Sequence, residues 1–379
     1  MLCARQNKKS HALPNGSPTD KMPTKSKRRI TMNIKRHIVS RDENIYEAWP
    51  DVVLTDGGKL ISVFAECNHH LDRTNARITL VESTDRGRTW SEKKYLSERS
   101  DGINFFNCPR ISKLKDGRLA IVCDYVLEDE NKNAEIHLWF GDGEGNEWGE
   151  EINLGFKAIV PDKLTELESG RWILGGQFKS EKTKKIEQFL WYSDDKGKTW
   201  SDRVTVATDP ALNLCETSII EIADNTLVAF LRENSRRGYD ILKCISYDGG
   251  ETWGDIYATP MDCGHRPAAL KLQDGRVMVT YRYIPTESHN FFGAILKTEE
   301  LTIPERHKQS ARIFPIDYDR NPSPDLGYSG SVQFPDGEIY VVTYIKDDAE
   351  KAHIRGYSFY TSDIELPRIG TDTRNVFWK

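Results

Sequence analysis

The chain has 379 residues, of which 38% are hydrophobic and 10% aromatic, with 53 Lys or Arg against 58 Asp or Glu. This composition supplies a hydrophobic core and excludes a wholly disordered chain. Basic residues concentrate in 1–36, which leaves a strongly acidic remainder. The charge therefore excludes a nucleic-acid groove as the main function. No apolar run approaches the roughly 20 residues needed to span a bilayer.

The first segment, residues 1–31, is rich in Ser, Pro, Asn and Lys and lacks the apolar stretch of a secretory signal. We expect a basic tail that packs little against the body, followed by one domain over 32–379. The seven cysteines are scattered and form no C-x-x-C pair. This pattern favours free thiols in a reducing compartment such as the cytoplasm. No metal or cofactor is predicted, and the sequence does not specify an oligomeric state.

The next element is a predicted strand over Arg28–Val39, which has no hairpin partner beside it in the sequence. Six tight turns then recur every 50–62 residues, each between alternating strand-like segments. The turns lie at Asp56-Gly, Asp116-Gly, Ser169-Gly, Asp224-Asn, Asp274-Gly and Asp336-Gly.

A second repeat, S-x-D-x-G-x-T-W, is interleaved with these turns. It occurs in full at Ser83–Trp90, Ser193–Trp200 and Ser246–Trp253, and in a degenerate form at Gly141–Trp148. Its Asp accepts bonds from nearby backbone N–H groups, its Gly supplies a positive φ, and its Trp packs between units. We therefore expect a structural role.

Together the two repeats predict six units of four antiparallel strands, which is an all-β, six-bladed β-propeller. The strand at Arg28–Val39 is expected to supply the outer strand of blade six. It would close the ring and leave no free sheet edge.

This six-unit array of S-x-D-x-G-x-T-W turns resembles the Asp-box repeats of the sialidase (neuraminidase) superfamily over residues 40–365. The resemblance implies a retaining exo-glycosidase, without a cofactor, that releases a terminal acidic sugar such as sialic acid from a glycan. Such boxes also occur in binding modules and unrelated enzymes, so they indicate the superfamily rather than the activity.

The hairpin turns also predict which residues meet at the channel mouth. Eight positions before each turn lie Ala48, Cys108, Pro161, Glu216, Arg266 and Tyr328. Eight positions after the turns of blades two to six lie Asp124, Gln177, Arg232, Arg282 and Tyr344. We expect the charged and phenolic members of these two sets to form the functional site.

The resemblance assigns roles to some of these residues. Glu216 precedes Arg232 by sixteen positions, as in the sialidase blade that carries a glutamate and a substrate-binding arginine. Tyr328 lies in a segment similar to the one with the catalytic tyrosine, which implies a Tyr328 nucleophile activated by Glu216. A neutral phenol suits an anionic sugar because it avoids the repulsion that a carboxylate would meet. Asp72 is the only carboxylate in Cys67–Val81 and is the candidate general acid.

Two parts of the family pattern are absent. The blade-five segment Thr286–Lys297 does not offer the third arginine at its usual place. The Arg-Ile-Pro triplet, whose arginine binds the substrate carboxylate, is replaced by Ala48-Trp49-Pro50. We therefore expect three guanidinium groups, those of Arg232, Arg266 and Arg282, to bind the acidic group of the sugar. Further candidates for substrate contacts are Asp124, Tyr344, His69, His70 and Arg110.

Two other functions fit the same residues. The lost arginine is consistent with a propeller that binds glycans without catalysis. A lyase or epimerase acting on uronate-containing glycans could use His69 or His70 together with a tyrosine. A shared metal site for these two histidines is not predicted, because adjacent residues on an extended loop point in opposite directions.

Overall fold

A computed structural model describes residues 33–127 and 133–364. The predicted basic tail at 1–31 lies outside the described residues. The described chain forms six antiparallel sheets of four strands each. This is the six-bladed β-propeller that the repeats predict.

The strands follow the order of the sequence within each blade, from the centre outwards, except in blade six. Blades one to three comprise β2 (Tyr46–Leu54), β3 (Leu60–Cys67), β4 (Arg77–Ser83), β5 (Lys94–Tyr95), β6 (Phe105–Lys113), β7 (Leu119–Val126), β8 (Ala134–Gly141), β9 (Ile152–Lys157), β10 (Thr165–Glu166), β11 (Trp172–Lys179), β12 (Ile186–Ser193) and β13 (Val204–Ala207). Blades four to six comprise β14 (Leu214–Ala223), β15 (Thr226–Glu233), β16 (Leu242–Ser246), β17 (Tyr257–Ala258), β18 (Gly264–Lys271), β19 (Val277–Tyr283), β20 (Asn290–Leu296), β21 (Ala311–Tyr318), β22 (Leu326–Gln333), β23 (Ile339–Ile345), β24 (His353–Phe359) and β1 (Lys35–Ser40).

Helical structure in the described chain is limited to two 3₁₀ turns, at Thr298–Glu300 and Arg306–Lys308, and a four-residue α-helix, Thr361–Ile364. Within residues 33–127 and 133–364, no helix has the length and apolar character needed to cross a bilayer.

The ring closes through β1, which pairs antiparallel with β24 and forms the outer strand of blade six. The closing strand predicted from the sequence is therefore confirmed over its described part. Blade six therefore takes its fourth strand, β1, from the N-terminal end of the domain, whereas its other three strands lie at the C-terminal end.

The Asp-box turns connect the third and fourth strands of their blades, as predicted. In Ser83–Trp90, the Asp85 carboxylate accepts bonds from the backbone N–H of Arg88 and Thr89 and from the Thr89 hydroxyl at 2.6–3.1 Å. These bonds lower the pKa of Asp85 to about 2. The Trp90 ring lies 6.1 Å from that of Tyr340 in the neighbouring blade, so the box joins two blades at the outer edge.

Near the axis, Asp51 links the first three blades. Its carboxylate accepts bonds from the backbone N–H of Val52 and of Ile111, in blade two. It also pairs at 2.9 Å with the ammonium of Lys163, which precedes the inner strand of blade three. A buried carboxylate requires such partners, and here they fix the spacing between the inner strands.

The close packing of blade six on blade one predicts a sensitive position at Gly330, in β22. A Cβ atom there would overlap Asp51 Oδ1 and lie 2.6 Å from the Val52 backbone nitrogen. We expect Gly330→Ala to lower the free energy of unfolding by about 2 kcal/mol or more in urea denaturation. Gly149→Ala is the matched control, because its nearest neighbour would be 3.5 Å away. Equal effects of the two substitutions would contradict this packing.

Candidate active site

The functional candidates converge on a cavity of about 1050 Å³ at the centre of the propeller. All six blades or their connecting loops contribute to its wall. This volume is at the upper end of the range for small-molecule sites and is sufficient for a sugar. No Asp-box residue is among those lining it in the described chain.

In every blade, one residue at or just before the inner strand has a left-handed backbone conformation, with a positive φ. Together these six residues shape the floor of the cavity. These residues have φ between 43° and 56°, and they are Trp49, Cys108, Val160, Glu216, Arg266 and Tyr328. In five blades the strand pairing shifts register at this point, so the residue sits in a β-bulge. A bulge interrupts the alternation of a strand and redirects one side chain. All of these residues except Arg266 line the cavity.

The spacing from the hairpin turns identified four of these six positions, and it was wrong by one residue in two blades. In blade one the left-handed turn residue is Gly58 rather than Gly57, so the site residue is Trp49 and not Ala48. In blade three the residue is Val160 and not Pro161, where the inner strand β10 has only two residues.

Tyr328 and Glu216 are in direct contact. The Tyr328 hydroxyl donates a hydrogen bond to Glu216 Oε1 at 2.8 Å, and the Arg232 guanidinium donates to Glu216 Oε2 at 2.7 Å. The Gln177 side chain fixes the backbone of Glu216, accepting a bond from its N–H at 2.5 Å. The sequence placed Glu216, Arg232 and Tyr328 together, and the structure brings all three to the cavity.

The charges around this contact set its protonation. Burial opposes ionisation of Glu216, yet the guanidinium groups of Arg232, Arg282 and Arg266 lower its pKa to about 2. Burial and the negative charge of Glu216 raise the pKa of Tyr328 well above 10. The resting pair is therefore a neutral phenol hydrogen-bonded to a carboxylate. In this state the carboxylate is able to accept the phenol's proton.

Two of the predicted substrate-binding arginines lie beneath the cavity rather than on its wall. Arg266 is 4.5 Å and Arg110 is 5.2 Å from the centroid of the Tyr328 ring, and both are buried. Arg266 also donates to the backbone carbonyl of Thr217. The expectation that Arg266 points into the channel needs correction, because its guanidinium packs against the tyrosine. There it favours the negative charge that a deprotonating phenol develops.

Arg282, Asp124 and Tyr344 line the cavity as expected. Arg282 donates from Nη1 to the Leu326 carbonyl at 2.9 Å, and within the described chain its Nη2 makes no hydrogen bond to protein. Burial raises the pKa of Asp124 to about 6, and Asn107 contacts its carboxylate at 3.4 Å.

Asp72 is not among the residues lining this cavity. Its carboxylate is exposed and accepts bonds from Thr74 N at 2.9 Å and Asn68 Nδ2 at 3.2 Å. The bonds from Thr74 and Asn68 lower the pKa of Asp72, which opposes the role of a proton donor. In this conformation Asp72 caps its own loop and faces a smaller depression beside the cavity.

The same loop brings His69 and His70 to the cavity wall. His70 Nδ1 lies 2.9 Å from the carboxylate of Asp325. In the described chain, no group of three or more His, Cys, Asp or Glu has a geometry suited to a metal ion.

Sequence reasoning missed several residues of this wall, and Arg73 and Asp325 are among them. The Arg73 guanidinium stacks on the Trp49 ring at 4.0 Å from its centroid, so it brings a cation next to the Ala48-Trp49-Pro50 segment that lacks one. Arg73 directly follows Asp72 in the sequence, so the loop itself contains the signal for this cation. Asp325 lies only three residues before Tyr328, but no repeat marks it.

Comparison with known proteins identifies the family of the chain. The BNR repeat-like domain matches residues 145–341, just over half of the chain. The chain belongs to the sialidase superfamily of BNR-repeat propellers. A sialidase of Bacteroides fragilis (strain YCH46) is 25% identical over 201 residues, covering 50% of this chain and 36% of that protein. A sialidase of Paraclostridium sordellii is 26% identical over 183 residues, covering 39% and 45%. The chain thus spans less than half the length of these two relatives.

Solved structures of the BNR-repeat propellers share the fold. A protein of unknown function from Dyadobacter fermentans has a TM-score of 0.74 at 22% identity, covering 86% of this chain and 98% of its own. The Hadza microbial sialidase Hz136 has a TM-score of 0.65 at 15% identity, covering 84% and 66%. The GH93 α-L-arabinofuranosidase of Fusarium graminearum has a TM-score of 0.59 at 12% identity, covering 86% and 98%.

Two histidines of the cavity wall, His265 and His289, lie near its arginines and predict how stability depends on pH. Burial and the charges of Arg232 and Arg282 lower the pKa of His265 to about 3, and burial and Arg282 lower that of His289 to about 4. The unfolded chain binds these protons below a pH of about 6.5, whereas the folded chain does not. The free energy of unfolding should therefore fall as the pH drops from about 6.5 towards 4.

The measurement is urea denaturation between pH 7.5 and pH 4.5. The double variant His265→Gln, His289→Gln should show a shallower dependence on pH, while substitution of the exposed His307 by Gln should leave the slope unchanged. An unaltered slope in the double variant would contradict the assignment of these pKa values.

Proposed function

We propose that this chain is a sialidase-like retaining exo-glycosidase that releases a terminal acidic sugar. The proposal rests on one observation, the 2.8 Å hydrogen bond from the Tyr328 hydroxyl to a Glu216 carboxylate held by Arg232. This pair is buried at the floor of the central cavity. Membership of a family that includes sialidases supports the same reaction class.

The chemistry follows from the two protonation states. As the Tyr328 oxygen attacks the anomeric carbon, its proton passes to Glu216, and the bond between that carbon and the leaving oxygen breaks. The positive charge of Arg266 beside the ring stabilises the developing phenolate. Water then attacks the covalent intermediate and releases the sugar with its original anomeric configuration.

The preference for an acidic sugar rests on the cations of the wall. Arg73, Arg232 and Arg282 all line the cavity. Within the described chain, the Nη2 groups of Arg73 and Arg282 have no hydrogen-bond acceptor from the protein. A carboxylate of the substrate would supply acceptors for them. Arg73 would bind the substrate carboxylate in place of the arginine that Ala48-Trp49-Pro50 lacks.

The test uses Tyr328→Phe and Glu216→Gln, assayed on a panel of 4-nitrophenyl glycosides. The panel includes an α-ketoside of sialic acid, a uronide and an α-L-arabinofuranoside, since one fold neighbour is an arabinofuranosidase. On the best acidic substrate, we expect both variants to lower kcat by about 10³-fold or more, because the nucleophile or its base is lost. Their melting temperatures should change by a few degrees at most.

Tyr281→Phe is the matched control, because the hydroxyl of Tyr281 is buried without a hydrogen-bond partner in the described chain and lies outside the cavity wall. It should retain wild-type turnover. Full turnover by Tyr328→Phe would overturn the nucleophile assignment. Tight binding of acidic glycans with no turnover of any substrate would instead support a glycan-binding propeller.

A further inference from the structure

His70 is held at the cavity wall by a half-buried carboxylate, that of Asp325, which comes from the blade on the other side of the ring closure. It lies on the loop between β3 and β4 of blade one, whereas Asp325 directly precedes β22 of blade six. His70 Nδ1 is 2.9 Å from Asp325 Oδ2, and the Trp49 ring packs edge-on against the imidazole at 5.5 Å. Both His70 and Asp325 line the cavity that contains Tyr328.

Asp325 is itself fixed from three sides. Tyr46 donates a hydrogen bond to Oδ2 at 2.5 Å, and Tyr344 donates to Oδ1 at 3.2 Å. Its backbone N–H donates to Asp319 at 2.9 Å. Burial opposes its ionisation, yet the contacts with His70 and Tyr46 lower the pKa of Asp325 to about 2. A permanent carboxylate therefore faces the imidazole.

This contact determines which imidazole nitrogen is available. The Tyr46 hydroxyl also lies 3.0 Å from Nδ1, but its proton is given to Asp325. The carboxylate and the phenol oxygen are therefore both acceptors, so Nδ1 carries a proton that points to them. In the described chain no hydrogen bond engages Nε2. The side chain keeps 35% of its surface exposed, which leaves Nε2 accessible to a ligand in the cavity. An imidazole oriented by a carboxylate in this way is suited to proton transfer at the free nitrogen.

We propose that His70 donates the proton to the leaving-group oxygen, with Asp325 and Tyr46 as its positioning residues. The proposal rests on the proposed function and names the proton donor of that same site. Asp72, two residues further along the loop, is instead occupied in capping the turn.

In this step, the Nε2 proton of the imidazolium moves to the glycosidic oxygen as its bond to the anomeric carbon breaks. The bond between Tyr328 and that carbon forms, and the phenol proton passes to Glu216. In the second step the neutral imidazole takes a proton from the attacking water. The Tyr328–carbon bond then breaks, and the phenolate recovers its proton from Glu216.

The experiment compares kcat/KM on two substrates with the same acidic sugar. A 4-nitrophenyl glycoside has a good leaving group that needs little protonation, whereas a sugar-linked glycoside needs it fully. For His70→Gln we expect a loss of about 10²-fold or more on the sugar-linked substrate and within about threefold on the nitrophenyl substrate. Asp325→Asn should show the same dependence on the leaving group, to a smaller extent. Asp72→Asn should show none.

The outcomes separate the two proposals. If His70→Gln lowers kcat/KM equally on both substrates, or lowers it on neither, the role of His70 is overturned. Tyr328→Phe still tests the nucleophile in that case. If Asp72→Asn lowers kcat/KM much more on the sugar-linked substrate than on the nitrophenyl substrate, the proton donor is Asp72. This result also overturns the role of His70. If His70→Gln melts more than a few degrees lower, His70→Asn is measured in its place. A wild-type chain that hydrolyses neither substrate overturns both proposals.

Discussion

The site depends on one constraint, the left-handed backbone conformation of one residue at or just before the inner strand of each blade. A regular strand alternates its side chains between the two neighbouring blades, so it presents none to the central axis. In five blades a bulge breaks this alternation, and in two of them it turns Glu216 and Tyr328 towards a common centre. A positive φ is unfavourable for these residue types by about 1–3 kcal/mol each. Hydrogen bonds such as those of Gln177 to Glu216 N and Thr343 to the Tyr328 carbonyl oppose that cost.

A second constraint is the balance of charge beneath the cavity. A buried carboxylate between guanidinium groups stays ionised at low pH, and a buried phenol beside it stays neutral. Glu216 and Tyr328 thus differ in protonation although they share one environment, as the proposed transfer of a proton from the phenol to the carboxylate requires. Arg266 joins the two, because it lowers the pKa of Glu216 and packs against the Tyr328 ring. In the proposed mechanism, Arg266 therefore acts on the reacting groups rather than on the substrate.

Much of this arrangement could be predicted from the sequence, because propeller blades repeat. The hairpin turns and Asp boxes determine the blade count, the closing strand and the approximate position of each inner bulge. The spacing failed where the repeat is irregular, at the second glycine of the blade-one turn and at the short β10. Sequence spacing also could not show that Arg266 lies under Tyr328, since both belong to bulges and only packing decides which one reaches the cavity.

The loops follow no repeat, and their residues were the least predictable. Asp72 is the only carboxylate in its segment, but hydrogen bonds within the loop direct it away from the cavity. The partnership of His70 with Asp325 joins residues 255 positions apart and depends on closure of the ring. Likewise, Arg73 lies beside the segment that lacks an arginine only because its loop folds back over Trp49.

The most direct test of the account is identification of the covalent intermediate. A fluorinated acidic glycoside that forms the intermediate quickly and hydrolyses slowly can be reacted with the protein, digested and analysed by peptide mass spectrometry. The account predicts one sugar adduct, located on Tyr328 and absent from Tyr328→Phe. An adduct on Glu216, Asp325 or another carboxylate, or turnover that inverts the anomeric centre, would contradict it.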